Sequence, residues 1–143
     1  MKKVIYMGSD HAGLSLKSVL IPALQKDGWI IEDMGTHTEE SCDYPDFAHV
    51  VCQKVLETNT VGILICGTGI GMSMAANRHK GIRAALCTHE FHARATREHN
   101  NANILCIGER VTGPGLAIEL AKIFLTTEYA QGRHEKRVEK IEK

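Results

Sequence analysis

The chain has 143 residues, of which 43% are hydrophobic and 24% charged. That length suits one domain spanning 1–143, and 3 prolines beside an ordinary apolar share exclude collagen-like and disordered classes. Lys+Arg 17 balances Asp+Glu 17, so bulk charge gives no footing for nucleic acid or an anionic membrane surface.

In chain order, apolar β-prone runs alternate with segments of helical period. Val4-Ile5-Tyr6-Met7 reads as a strand closed by Gly8. A helix follows, with Leu16, Val19, Leu20, Ala23 and Leu24 on one face. Pro22 lies in that stripe and predicts a kink or a restart. Gly28 ends the helix, and Trp29-Ile30-Ile31 is the second strand. Residues 35–45 are polar and turn-rich, and a second helix spans Asp46 to Glu57. The third strand, Gly62 to Cys66, runs into Gly67-Thr68-Gly69-Ile70-Gly71 and a helix from Met72 to Arg78. Ile82 to Cys87 is the fourth strand, His89 to His99 the fourth helix and Asn103 to Ile107 the fifth strand. The fifth helix carries Ala117, Leu120, Ala121, Phe124 and Leu125 on one stripe, and the charged segment Gln131 to Lys143 reads as a C-terminal helical extension.

Strict alternation with fully apolar strands predicts an α/β fold. Right-handed crossovers make it a three-layer, Rossmann-like, doubly wound parallel sheet of five strands. Ligands of such folds bind outside the carboxyl ends of the strands. Residues 8–13, 35–45, 66–71 and 108–115 lie at that edge and hold the Gly-rich and polar material. No stretch reaches the ~20 apolar residues of a membrane span. Met1-Lys2-Lys3 leads straight into a strand, without the apolar region and cleavage site of a signal peptide. Cys42, Cys52, Cys66, Cys87 and Cys106 are odd in number and lack CxxC spacing, which reads as reduced thiols and a cytoplasmic location.

The strongest motif is Gly67-Thr68-Gly69-Ile70-Gly71. Glycines between a strand and a helix let backbone N–H groups converge as an anion-binding nest, although a tight turn alone also calls for them. The dinucleotide pattern G-x-G-x-x-G fails, and Leu14 stands where a P-loop needs lysine. Cys66 immediately precedes the loop. A thiol at a helix mouth gains thiolate character and suits a general base, whereas a cysteine ending an apolar strand is more often buried and inert. Cys87 and Cys106 lack a glycine loop and take the inert reading. Asp10-His11 follows the first strand and fits either sugar hydroxyls and an anion or a simple helix cap. Arg133 and Arg137 sit four apart beside His134, a spacing for a phosphate clamp or for a solvated face. His89, His92 and His99 do not make H-E-x-x-H, so no metal is expected.

Several further segments stand in order with these motifs: Gly8-Ser-Asp10-His11-Ala-Gly13, Asp43-Tyr44-Pro45, Ala75-Ala-Asn77, Gly81-Ile-Arg83-Ala84, Arg97-Glu-His99-Asn100, Gly108-Glu-Arg110 and Gly132-Arg133-His134. Over nearly its whole length the chain resembles the ribose-5-phosphate isomerase B family, which includes galactose-6-phosphate and allose-6-phosphate isomerases. The resemblance implies aldose–ketose isomerisation of a sugar phosphate through an enediolate, without metal or cofactor. It implies Cys66 as the base, and Thr68 with the amides of Gly67, Gly69, Ile70 and Gly71 as holders of the enediolate oxygens. It further implies His99 in ring opening, Asn100 and Asp10 on hydroxyls, and His11, Arg110, Arg133 and Arg137 on the phosphate. The rival class is a non-enzymatic nucleotide- or anion-binding module using the same loop.

Topology adds one expectation. Cys66 ends its strand at the carboxyl edge, while a helix antiparallel to the strands returns His99 to the opposite edge. Arg133 and Arg137, which follow the end of the fifth helix, face the same separation. A single site using all of them needs a homodimer with shared sites, alone or paired into a tetramer.

Overall fold

The computed structural model describes residues 4–143; Met1-Lys2-Lys3, part of the N-terminal reading above, lies outside the described residues. Five strands, β1 (Val4–Ser9), β2 (Ile30–Asp33), β3 (Gly62–Cys66), β4 (Ala84–Leu86) and β5 (Ile104–Gly108), form one sheet in the order β2-β1-β3-β5-β4. Every pairing is parallel. The helices are α1 (Leu14–Lys26), α2 (Tyr44–Thr58), α3 (Ile70–Ala76), α4 (Glu90–Asn100), α5 (Pro114–Thr126) and α6 (Glu135–Glu139).

Side-chain alternation along the strands separates two cores. Ile5, Met7, Ile63, Ile65, Leu105 and Ile107 face α1, α4 and α5, burying Leu16, Leu20, Leu24, Ala93, Leu120 and Phe124. Tyr6, Leu64, Cys66, Ile104 and Cys106 face α2 and α3, against Ala48, Val51, Val55 and Met72. All five residues of β3 and of β5 are buried, as strands covered on both faces require. Each such large apolar side chain contributes about 1.5–3 kcal/mol by leaving water.

Several boundaries differ from the sequence reading. α1 runs through Pro22 without a restart, because the ring lies on the exposed face while Leu20 and Leu24 on either side stay anchored. Val19, expected on the buried stripe, is 40% exposed, and Lys17 takes a buried place instead. Its Nζ donates to Asp33 Oδ1 at 2.6 Å and to the Thr36 carbonyl at 2.5 Å. β2 lies later than Trp29–Ile31, over Ile30–Asp33. α2 starts at Tyr44 rather than Asp46, with Pro45 in its first turn, where a missing N–H costs nothing. α3 spans Ile70–Ala76 rather than Met72–Arg78, and β4 is confined to Ala84–Leu86. The Asn77 side chain accepts from the Ala84 amide at 2.8 Å and donates to its carbonyl at 3.0 Å, pinning the start of β4. The C-terminal extension is not one helix: 3₁₀ turns at Gly132–His134 and Lys140–Glu142 flank the five-residue α6. Most of its residues are exposed, so no apolar stripe holds a longer helix together.

Among the described residues, no helix is long and apolar enough to cross a membrane. All five cysteines are free.

Candidate active site

At the carboxyl edge of the sheet, the ends of β1, β3 and β5 are laced to one another. The Asp10 amide donates to the Ile65 carbonyl, the Glu109 amide to that of Cys66 and the Arg110 amide to that of Gly67. Loop 67–71 is thereby fixed against its neighbours. Gly69 takes a left-handed φ of +79°, a conformation that side chains disfavour. Gly108 lies so close to the loop that a Cβ there would stand 2.4 Å from the backbone of Thr68. The turn is both a device of backbone geometry and the floor of a cleft.

That cleft, about 510 Å³, is lined by Asp10, His11, Tyr44, Cys66, Gly67, Thr68, Ile70, Gly71, Met74 and Arg110, with Ala12. The Cys66 side chain is nearly buried, and the Gly69 amide donates to its Sγ at 3.1 Å. Thr68 is exposed, and its Oγ1 accepts from the Ile70 amide at 3.2 Å. Asp10 Oδ1 accepts from the Ala12 and Gly13 amides at 3.0 and 3.1 Å. The capping reading of Asp10 is therefore realised, and the same carboxylate borders the cleft. His11 Nδ1 accepts from the Cys42 amide at 3.2 Å. The neutral ring then carries its proton on Nε2 as a donor.

Burial pushes Cys52 and Cys87 up to about 12. Cys106, fully enclosed, is pushed well above the ordinary thiol value by burial, reinforced by neighbouring thiols. These are inert packing groups.

A second hollow of about 450 Å³ gathers His99, Asn100, Arg133, His134 and Arg137, with Val138 and Ile141. It shares no lining residue with the first. His99 and Asn100 end α4, just ahead of β5, whereas Cys66 is in register with Gly108 at the far end of β5. Four residue steps of strand separate those ends, roughly 13 Å. The expected site residues thus fall into two groups within the chain, as the antiparallel course of α4 requires.

Two larger hollows, about 620 and 600 Å³, contain neither Cys66 nor loop 67–71. Size alone does not locate the chemistry here. His89 and His92 meet edge-on at 5.0 Å, away from His99. Among the described residues, no group of three or more His, Cys, Asp or Glu side chains could hold a metal. Tyr44 and Met74 line the first cleft without having been singled out as site residues. For Tyr44 the signal was its place in the polar segment at the carboxyl edge; Met74 gave none, since a helical methionine reads as packing.

Comparison with known proteins bears on the family and the fold. The family model described as ribose/galactose isomerase matches residues 5–141. The ribose-5-phosphate isomerase B of Escherichia coli is 42% identical over 142 residues, covering 99% of this chain and 95% of that protein. The solved structure of Clostridium thermocellum ribose-5-phosphate isomerase B superposes with a TM-score of 0.96 at 49% identity, covering 98% of this chain and 95% of that one. The Thermotoga maritima structure of a ribose 5-phosphate isomerase gives 0.95 at 49% identity, with 97% of each chain covered. The chain belongs to the ribose/galactose isomerase family.

Proposed function

We propose that this protein interconverts ribose 5-phosphate and ribulose 5-phosphate by proton transfer through an enediolate, with no metal or cofactor taking part. The observation that carries the reading is Cys66, whose sulfur accepts the Gly69 amide at 3.1 Å inside a cleft bordered by Asp10, His11 and Arg110. A proton α to a carbonyl leaves only if a base and an oxyanion site meet at the same carbons. Cys66 and loop 67–71 are that pair.

The reaction begins with ring opening. His99 takes the proton of the anomeric hydroxyl, the bond from C1 to the ring oxygen breaks as the C1 carbonyl forms, and protonated His99 gives a proton to the ring oxygen. The Cys66 thiolate then removes the proton on C2. The electron pair moves into the C1–C2 bond, and negative charge develops on O1 opposite Thr68 and the amides of residues 67–71. The thiol returns a proton to C1, the O2 proton passes to O1, and the C2 carbonyl completes the ketose. Asp10 and Asn100 hold hydroxyls. His11, Arg110, Arg133 and Arg137 hold the phosphate, whose binding energy keeps the reacting carbons in place.

The functional unit in this reading is a homodimer with two shared sites, each joining one chain's Cys66 cleft to the partner's His99 cluster. The division of the two groups within one chain supports it. Five free thiols support a cytoplasmic setting. The test is isomerase activity on ribose 5-phosphate with EDTA present, alongside allose 6-phosphate and galactose 6-phosphate. A higher kcat/KM for ribose 5-phosphate is expected. A higher value for a six-carbon sugar would correct the substrate, and no turnover of any would leave the anion-binding module.

A further inference from the structure

His134 has no part in the reaction as written, yet it is built against a residue that does. Its ring lies over the ring of His99, with centroids 4.6 Å apart and planes inclined by only 18°. The two residues are remote in sequence and are brought together by specific backbone features. The Ala130 amide donates to the Glu98 carbonyl at 3.0 Å, stitching the C-terminal segment to α4 one residue before His99. Gln131 and Gly132 then both take left-handed φ angles, +62° and +61°, and turn the chain so that the next 3₁₀ turn presents His134.

The charges around the stack come from both elements. On α4, Glu98 Oε2 stands 3.9 Å from His99 Nε2. On the C-terminal segment, Arg133 and Arg137 line the same hollow. Desolvation, then His99, Arg133 and Arg137, lower the His134 pKa below the ordinary imidazole value, with Glu98 opposing them. A neutral ring stacks on its neighbour without repelling it. The His99 side chain is 44% exposed, so α4 alone leaves it room to rotate. Proton transfer to a bound sugar needs its plane fixed.

We infer that His134 is a positioning residue: its ring, stacked face to face on that of His99, sets the plane in which the His99 nitrogens meet the anomeric hydroxyl and the ring oxygen of the sugar. This rests on the ring-opening role proposed for His99. It assigns His134 no proton of its own, so the flat ring is what counts.

The test compares His134→Ala, His134→Leu and His134→Phe in the full-length protein. Pre-steady-state ring opening of the cyclic aldose, KM and the pH–rate profile are followed, together with the NMR shifts of the His99 ring protons. His134→Ala and His134→Leu should slow ring opening by about tenfold, with KM changed less than about threefold. His134→Phe should restore it to within about threefold of wild type, with an unaltered pH profile. The ring-current shift on His99 should vanish in the Ala and Leu variants and persist with Phe. Ring opening at the wild-type rate in the Ala or Leu variant, or a Phe variant as slow as Ala, would overturn the inference. The NMR readout needs no turnover, so it separates this inference from the proposed reaction: a wild type inactive on all three sugars refutes the reaction, whereas His99 shifts unmoved by His134→Ala refute the stack.

Discussion

The two clusters that the proposed reaction needs are made in opposite ways. Around Cys66, the donors are backbone amides, held between buried strands that are laced together by hydrogen bonds to Ile65, Cys66 and Gly67. Around His99, the groups are side chains at the exposed end of α4 and on a short, broken C-terminal segment. The first region is preorganised by the sheet itself, as an oxyanion site must be to act without reorganising. The second has charge and flat rings but little packing behind it, and it lies near the amino end of β5 while the first lies at its carboxyl end. In the proposed reaction the first holds the reacting carbons, the second opens the ring, and both contribute groups to the phosphate. The two hollows share no lining residue within one chain, and the proposed reaction calls on both.

The comparison breaks most severely at Cys66. Cys66→Ala should reduce turnover by at least about a hundredfold while leaving the fold and phosphate binding intact, because losing a general base costs ~10²-fold or more. Retention of more than about a tenth of wild-type turnover in steady-state assays would remove Cys66 as the base.

The division between regions is tested next by complementation. Cys66→Ala and His99→Asn should each be nearly inactive alone. In a mixed dimer, one shared site carries both lesions and the other carries neither. Random reassortment makes half the dimers mixed, so activity after re-annealing should approach about one quarter of wild type. Verified mixed dimers without recovery would put both residues in the same chain's site.

A milder effect is expected from the arginines, one taken from each region. Arg110→Ala and Arg137→Ala should each raise KM about tenfold and change kcat little, as loss of one charge-assisted hydrogen bond to a remote phosphate implies. A fall in kcat with KM unmoved would place that arginine at the reacting carbons.

The smallest effect concerns Cys52, which packs in the same core layer as Cys66. Burial raises Cys52 from 9.0 to about 12. Keeping that thiol protonated therefore stabilises the fold fully below pH 9, and the contribution is lost as pH climbs towards 12. The melting temperature of the wild type should fall between pH 9 and 11, and Cys52→Ala should make that fall shallower by about 5–9 °C. Equal slopes would mean that Cys52 does not titrate in this range.

Local chemistry wrote much of this molecule into its sequence. Strand β3 is legible because a strand covered on both faces must be apolar throughout. Loop 67–71 is legible because glycine is the residue that most readily takes a left-handed φ such as that at 69. The opposition of Cys66 and His99 follows from the direction of a crossover helix, which any parallel sheet imposes. Other features depended on contacts between distant residues. That β5 lies between β3 and β4 is decided by pairing partners, since Ile104 meets both Gly62 and Ala84. Lys17 looks like an ordinary surface lysine until β2 and the following turn bring it Asp33 and the Thr36 carbonyl. Tyr44 reached the cleft through the packing of α2 on α3, and His134 reached His99 through the Ala130–Glu98 hydrogen bond and the turn at Gln131 and Gly132. Periodicity and glycine spacing report what each segment needs from its own backbone. Which side chain lies against which is settled only when the segments compete for the same space.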